Sequence, residues 1–220
     1  MNDSQIIIGV DEAGRGPLFG PVYTGAVILP PMDSEFDRTQ LKDSKKFTSK
    51  KKLQKVFENI INEPNCIYSV NSANHEEIDA LNILQATQKS MHRSVTGVIQ
   101  KYIDSCKSEN CEICFDNILI CVDGNYFHTF KYFYEDTLHI INHKCMVKGD
   151  ALCKEISAAS ILAKYSRDEF IEKFVQENPT YDERYNLLKN KGYGTKQHIE
   201  GIRTYGYTPY HRKTFKLKNM

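Results

Sequence analysis

The sequence predicts an α/β fold, in which a β-sheet packs against helices and a small helical lobe follows. Short runs of β-branched apolar residues predict the strands, and longer segments with apolar residues at helical spacing predict the helices. A chain of 220 residues with 40% hydrophobic content can bury one core. We expect a main domain over residues 1–178 and a lobe over residues 179–220, which begins at Pro179 and contains a helix over Thr195–Tyr205.

The first predicted strand covers Ile6–Val10, an apolar, β-branched run typical of a strand buried on both faces. Two acids, Asp11 and Glu12, follow it directly. Side chains alternate between the faces of a strand, so both carboxylates can serve one site only if the chain leaves the sheet between them. The glycines that come next allow this departure, because glycine accepts backbone conformations that other residues avoid.

The turn after the acids contains Gly14, Arg15 and Gly16. Glycine lets backbone N–H groups approach a ligand without an intervening Cβ, and arginine provides a planar, permanently charged fork that suits phosphate. The chain then enters Val22–Leu29, a β-favouring run closed by two prolines. This pattern predicts a second strand paired with the first.

Helical patterns alternate with strands in the next part of the chain. A lysine-rich amphipathic helix with Thr48 or Ser49 as its N-cap precedes a strand-like run at Cys66–Val70. Asn74 and Glu77 have the spacing of a capping box, and the periodic apolar residues after them predict one long helix packed on the sheet.

Two further acids also follow predicted strands. Ile118–Val122 leads into Asp123, and a short strand at residues 144–148 leads to Asp150. A helix containing the small residues of segment 156–163 comes next, and small side chains allow a helix to approach a sheet closely. We expect the strand ends to bring the four acids together; for Asp150, taken by itself, capping of this helix is the alternative role.

Clustered carboxylates repel one another and are costly to bury without a cation. Ligation by oxygen alone favours Mg²⁺ or Mn²⁺ over zinc. Two such ions could activate a water and stabilise the leaving oxygen in phosphodiester hydrolysis.

The charge distribution agrees with a polyanionic substrate. The net charge is only +1, yet basic residues crowd segments 42–55 and 189–220. The chain has no apolar run long enough for a membrane span and no signal peptide pattern, and its seven cysteines form no secretory framework. We therefore expect a cytoplasmic monomer with reduced thiols that needs no obligatory protein partner.

Motifs along almost the whole chain resemble, in order, those of the type 2 ribonucleases H, and of ribonuclease HII in particular. They are Asp11-Glu-Ala-Gly-Arg-Gly-Pro17, Leu41-Lys-Asp-Ser-Lys45, Leu81-Asn-Ile-Leu84, Val122-Asp-Gly-Asn125, Lys148-Gly-Asp150, Ser157-Ala-Ala-Ser-Ile-Leu-Ala-Lys164, Arg167-Asp168, Gly192-Tyr-Gly-Thr195 and Pro209-Tyr-His-Arg212. The resemblance implies a ribonuclease H-like mixed β-sheet flanked by helices. It also implies metal-dependent cleavage of RNA in RNA–DNA hybrids, or at single ribonucleotides embedded in duplex DNA.

The resemblance assigns roles to individual residues. The metal-binding catalytic acids would be Asp11, Glu12, Asp123 and Asp150. The backbone of the Gly14–Gly16 turn would grip the ribose 2′-hydroxyl and nearby phosphates, and Tyr193 would sense the junction between ribonucleotide and deoxyribonucleotide. The residues expected to contact backbone phosphate are Ser44, Lys45, Lys148, Lys164 and Arg167.

Some features depart from the family, and other functions stay open. The segment between Asp123 and Asp150 is long and aromatic-rich, and Cys106, Cys111 and Cys114 form a loop that invites zinc but offers no clear fourth ligand. Ribonuclease HIII is the nearest alternative; it usually carries an extra N-terminal domain, whereas this first strand begins near Met1. A hybrid-binding module without turnover and a two-carboxylate glycosidase are alternatives from other classes.

Overall fold

The computed structural model describes residues 5–217, apart from the side chain of Lys45. Within them the backbone forms one six-stranded sheet in the order β3-β2-β1-β4-β6-β5. The strands are β1 Ile6–Ala13, β2 Val22–Ile28, β3 Ile67–Ala73, β4 Ile118–Asp123, β5 Phe130–Tyr134 and β6 Thr137–Met146. The sheet is mixed, as expected, because β1, β4 and β6 run parallel, while the β1–β2, β2–β3 and β5–β6 pairs are antiparallel.

The helices lie on both faces of the sheet and in the C-terminal region. They are α1 Lys50–Ile61, α2 His75–Leu81, α3 Ile83–Glu109, α4 Gly149–Leu152, α5 Lys154–Glu177, α6 Pro179–Tyr185, α7 Leu187–Asn190 and α8 Lys196–Tyr205. Ser49 caps α1, Asn74 and Glu77 form the predicted capping box of α2, and Thr195 caps α8.

Two apolar layers enclose the sheet. Helix α3 packs against one face, and α5 and α1 pack against the other. Helix α5 comes very close to strands β1 and β2 because two of the strand residues that face it are glycines. A Cβ on Gly9 would lie 2.0 Å from the Glu155 carbonyl carbon, and a Cβ on Gly25 would lie 2.5 Å from the Ala159 oxygen. The prediction of a closely packed helix containing residues 156–163 is thus confirmed.

Three expectations about local structure need correction. The single long helix after Asn74 is two helices, because Asn82 adopts φ 69° and its side chain caps α3. The aromatic segment after Asp123 forms the hairpin β5–β6, so the last strand is much longer than the short run predicted at 144–148. Strand β1 also runs on to Ala13, so the acids that follow Val10 stay in the sheet.

The C-terminal helices share one apolar cluster with the rest of the chain. Leu18 and Phe19, from the connection between β1 and β2, pack with Phe174 of α5 and with Tyr185 and Ile202 of the C-terminal region. The domain boundary placed after residue 178 stays a prediction.

Candidate active site

Parallel pairing explains why the acids meet. Strands β1 and β4 pair in register up to Val10 and Val122, so Asp11 and Asp123 emerge side by side at the same end of the sheet. Beyond Val10, β1 leaves β4 but stays paired with β2 through Ala13. The sheet therefore opens on one side of Asp11 while its backbone remains fixed on the other.

Asp11 is the most enclosed part of this acidic group, with only 5% of the residue exposed. The Glu12 N–H donates to its Oδ1 at 2.6 Å. The pKa of the Asp11 carboxyl is raised well above its ordinary value, first by burial and then by the charges of Glu12 and Asp123, while a hydrogen bond from the Ser160 hydroxyl opposes the rise. Three carboxylates are thus close enough to repel one another.

The remaining acids are also held by the surrounding backbone and side chains. Asp123 Oδ1 accepts a 2.7 Å hydrogen bond from the Gly149 N–H, which ties the end of β4 to the start of α4. Asp150 is buried in α4, and its carbonyl oxygen accepts from the Ser157 hydroxyl at 2.6 Å. Glu12 pairs with Arg15 at 3.3 Å.

These side chains fit Mg²⁺ or Mn²⁺ in donor chemistry, because they offer carboxylate oxygens only and the repulsion that Glu12 and Asp123 exert on Asp11 is of the kind that a cation relieves. They do not form a closed ligand set. Among residues 5–217 no three His, Cys, Asp or Glu side chains are arranged to hold a metal ion, and this includes the cysteine loop for which zinc was considered.

The glycine turn lies against a tyrosine and an arginine. Gly14 has φ +93°, and a Cβ there would lie 2.0 Å from Arg167 Nε, so only glycine leaves room for that side chain. A Cβ on Gly16 would lie 3.3 Å from the Tyr193 ring. The ring of Tyr193 is therefore packed over the turn, yet 48% of the residue remains exposed.

Comparison with known proteins decides the family. Residues 8–218 match the family model of ribonuclease HII. A ribonuclease HII of Treponema denticola is 43% identical over 215 residues, which cover 98% of this chain and 100% of that protein. The chain belongs to the ribonuclease HII family. This membership makes it a metal-dependent endoribonuclease of the ribonuclease H type, and it speaks against the glycosidase and binding-module alternatives.

Solved structures agree in fold. The ribonuclease H2 of Pyrococcus horikoshii OT3 has a TM-score of 0.65 at 26% identity, covering 96% of this chain and 93% of that one. Bst ribonuclease HIII in complex with Mn²⁺ has a TM-score of 0.59 at 16% identity, covering 91% of this chain and 70% of that one, and shows likeness of fold alone. No helix among residues 5–217 is long and apolar enough to cross a membrane.

The phosphate contacts expected from Arg167 and Ser44 stay predictions, and the structure buries both side chains. Arg167 is only 2% exposed, and its guanidinium donates to the carbonyl oxygens of Pro21, Phe19 and Lys191 at 3.3, 3.4 and 2.9 Å. Ser44 is also buried, and its hydroxyl shares a 2.9 Å hydrogen bond with that of Ser160. The polar atoms of both side chains are hydrogen-bonded to other parts of the protein beside the acidic group.

The three lysines expected to contact phosphate lie in different surroundings. Lys148 is exposed beside α4, and Lys164 is partly exposed and pairs with Asp168 at 2.5 Å. The side chain of Lys45 lies outside the described residues. A phosphate contact from any of these lysines stays a prediction.

Sequence reasoning gave no role to several residues that support the site. Ser160 links Asp11 to Ser44, and Arg212, counted within a basic segment, is completely buried. His198 and His211 are buried side by side, with 3.0 Å between their Nε2 atoms. The sequence does show each of these polar residues inside an apolar or motif-bearing run. It does not show their hydrogen-bond partners, which lie far away in the chain.

Proposed function

We propose that this ribonuclease HII hydrolyses RNA within RNA–DNA hybrids and also cuts on the 5′ side of single ribonucleotides embedded in duplex DNA. The observation that carries the proposal is the contact between the Tyr193 ring and Gly16, four residues beyond Glu12. A half-exposed tyrosine beside open backbone amides can read a ribose 2′-hydroxyl, and this group distinguishes RNA from DNA.

In the proposed reaction Asp11, Glu12, Asp123 and Asp150 hold two divalent ions, for which Mg²⁺ and Mn²⁺ both suit the donors. When bound, the ions supply an activated water and stabilise the charge on the leaving oxygen. The buried position of Asp11 keeps competing water away from its carboxylate.

The remaining side chains bind and orient the substrate. The Tyr193 hydroxyl meets the 2′-hydroxyl, its ring contacts the sugar, and the N–H groups of the glycine turn hold the neighbouring phosphate. Lys148 and Lys164 contribute positive charge for the backbone. Water adds to the scissile phosphorus and the upstream O3′ leaves, which gives a 3′-hydroxyl and a 5′-phosphate. The enzyme acts as a monomer.

The test is cleavage of a labelled RNA–DNA hybrid with Mg²⁺, with Mn²⁺ and with excess chelator, beside an all-DNA duplex. We expect internal cuts in the RNA strand with either ion, none with chelator and none in DNA. Products should accept ligation through a 5′-phosphate. Cleavage that persists in chelator would remove the metal-dependent mechanism, and binding without cleavage would show that turnover is absent.

A further inference from the structure

Arg212 lies directly behind the glycine turn and is 0% exposed. Its three guanidinium nitrogens all donate to backbone carbonyls: Nη2 to Gly14 at 2.7 Å, Nη1 to Arg15 at 2.9 Å and Nε to Gly20 at 2.8 Å. Its own backbone N–H donates to the Leu18 oxygen at 2.8 Å. Both ends of the residue are therefore fixed on the segment between β1 and β2.

These contacts determine where the amides of the turn point. In a trans peptide unit the C=O and the following N–H point in opposite directions, and the described residues contain no cis peptide. Because the Gly14 and Arg15 carbonyls point at Arg212, the N–H groups of Arg15 and Gly16 point away from it. Neither of these N–H groups donates to an acceptor within residues 5–217.

Keeping Arg212 buried is costly. None of the ion pairs among the described residues includes it, and a buried charge without a carboxylate partner normally destabilises a fold. Burial and the nearby charge of Arg167 lower the pKa of Arg212 to about 9. The carbonyl contacts offset part of this cost, two of them within the turn and one at Gly20, and the guanidinium also lies over the Phe215 ring.

We propose that Arg212 is a positioning residue that orients the Arg15 and Gly16 N–H groups toward the ribonucleotide and thereby sets selectivity for ribose. This inference rests on the proposed function and names a determinant of that same site. A planar guanidinium can hold three carbonyls at once, whereas the ammonium of a lysine cannot reproduce the fork.

The test is Arg212→Lys, with Arg184→Lys as the matched control, because Arg184 is an exposed lobe arginine that stacks on Tyr205. Binding is measured by fluorescence anisotropy in chelator, with a duplex carrying one ribonucleotide and with the same duplex in all-DNA form. We expect Arg212→Lys to reduce the preference for the ribonucleotide duplex about tenfold, the loss expected for one or two misplaced hydrogen bonds. All-DNA binding and the Arg184→Lys variant should stay within twofold of the unaltered protein.

An unchanged preference in a folded Arg212→Lys variant would overturn the proposal, as would an equal loss of affinity for both duplexes. If the unaltered protein neither prefers the ribonucleotide nor cuts it, the proposed function itself fails, which is a separate result. A second measurement needs no variant: the ¹⁵N-amide resonances of Arg15 and Gly16 should shift with the ribonucleotide duplex and not with all-DNA. Equal shifts with both duplexes, or no shift, would also overturn it.

Discussion

At the scale of single residues, the burial of Asp11 beside other acids disfavours the folded state, and the proposed mechanism gives this carboxylate a role in the reaction. Its carboxyl is buried, and its pKa is raised by that burial and by two neighbouring carboxylates, so the charged form is disfavoured in the folded protein. A neutral side chain of the same shape should relieve this repulsion, and under the proposed mechanism it also removes a metal ligand.

We therefore predict that Asp11→Asn lowers cleavage roughly 100-fold or more, since even indirect partners of metal ligands cost 10–100-fold. Binding of the hybrid should be largely retained. The same variant should unfold at a higher temperature, by about 2–4 °C for each kcal/mol of repulsion relieved. Asp116→Asn is the control, because Asp116 is exposed outside the acidic group. A near-normal rate for Asp11→Asn would remove Asp11 from the site.

Two contacts hold Tyr193 beside the glycine turn: its ring packs on Gly16, and its backbone oxygen accepts from the His198 ring at 2.9 Å. In the proposed function its hydroxyl reads the ribose. Tyr193→Phe keeps the ring and removes one hydrogen bond, so we predict about a tenfold loss of kcat/KM on a duplex with one ribonucleotide. Tyr205→Phe, at another exposed lobe tyrosine, should change little. If Tyr193→Phe keeps its preference, another group reads the 2′-hydroxyl.

At the scale of elements, a chain of hydrogen bonds ties the C-terminal segment to the Tyr193 loop. The Thr208 N–H donates to His211 Nδ1 at 3.0 Å, the two Nε2 atoms of His211 and His198 are 3.0 Å apart, and His198 Nδ1 lies 2.9 Å from the Tyr193 oxygen. A backbone donor at one end and a carbonyl at the other allow one arrangement only, in which both rings are neutral and His211 donates to His198.

A second proton on either ring would break this chain. Burial, and for His211 also the neighbouring His198, lowers the pKa of both rings, that of His211 to about 3. The unfolded state then binds more protons below pH 6.5, so the stabilisation is complete above that pH and is lost as pH falls from 6.5 toward 3.

We predict that the difference in unfolding free energy between the unaltered protein and the variant His198→Gln/His211→Gln shrinks as pH falls below 6.5. The slope should approach about 1.4 kcal/mol per pH unit for each histidine. Urea unfolding at several pH values measures it, with His139→Gln on β6 as the control. A difference independent of pH would show that these rings are not held neutral.

At the scale of the whole molecule, the sequence predicted what depends on local pattern. The buried strands, the caps of α1, α2 and α8, and the acids near the ends of β1 and β4 could be identified because apolar runs and turn residues are neighbours in the chain. Contacts between distant residues could not. Ser44 and Ser160 are 116 positions apart, and Arg212 and Gly14 are 198 apart, so no local pattern shows that these polar side chains are buried together.

Local signals also failed where one residue changed the geometry. The break between α2 and α3 comes from the positive φ of Asn82, and the spacing of apolar residues gives no information about that backbone angle. The resemblance assigned Arg167 to backbone phosphate, but its side chain is buried against Gly14. The fold was thus more predictable than the supporting residues of the site.

The apolar cluster that the C-terminal helices share with Leu18, Phe19 and Phe174 predicts how a shortened fragment behaves. Phe19 is fully buried, and its ring contacts Tyr181 and His211. A fragment of residues 1–178 would expose it with Phe174, and burial of one such ring is worth about 2 kcal/mol. We expect the fragment to melt at a clearly lower temperature than the full chain, or to aggregate. A cooperative transition within a few degrees of the full chain would instead support two independent domains.

The measurement that tests the account most directly is the position of cleavage in a labelled DNA duplex carrying one ribonucleotide, incubated with Mg²⁺ or Mn²⁺ and resolved by product length. The account predicts a single cut on the 5′ side of the ribonucleotide, because Tyr193 and the glycine turn place that sugar beside the acids. If this duplex stays intact while an RNA–DNA hybrid is cut, the site does not read a single ribose, and the central claim is wrong.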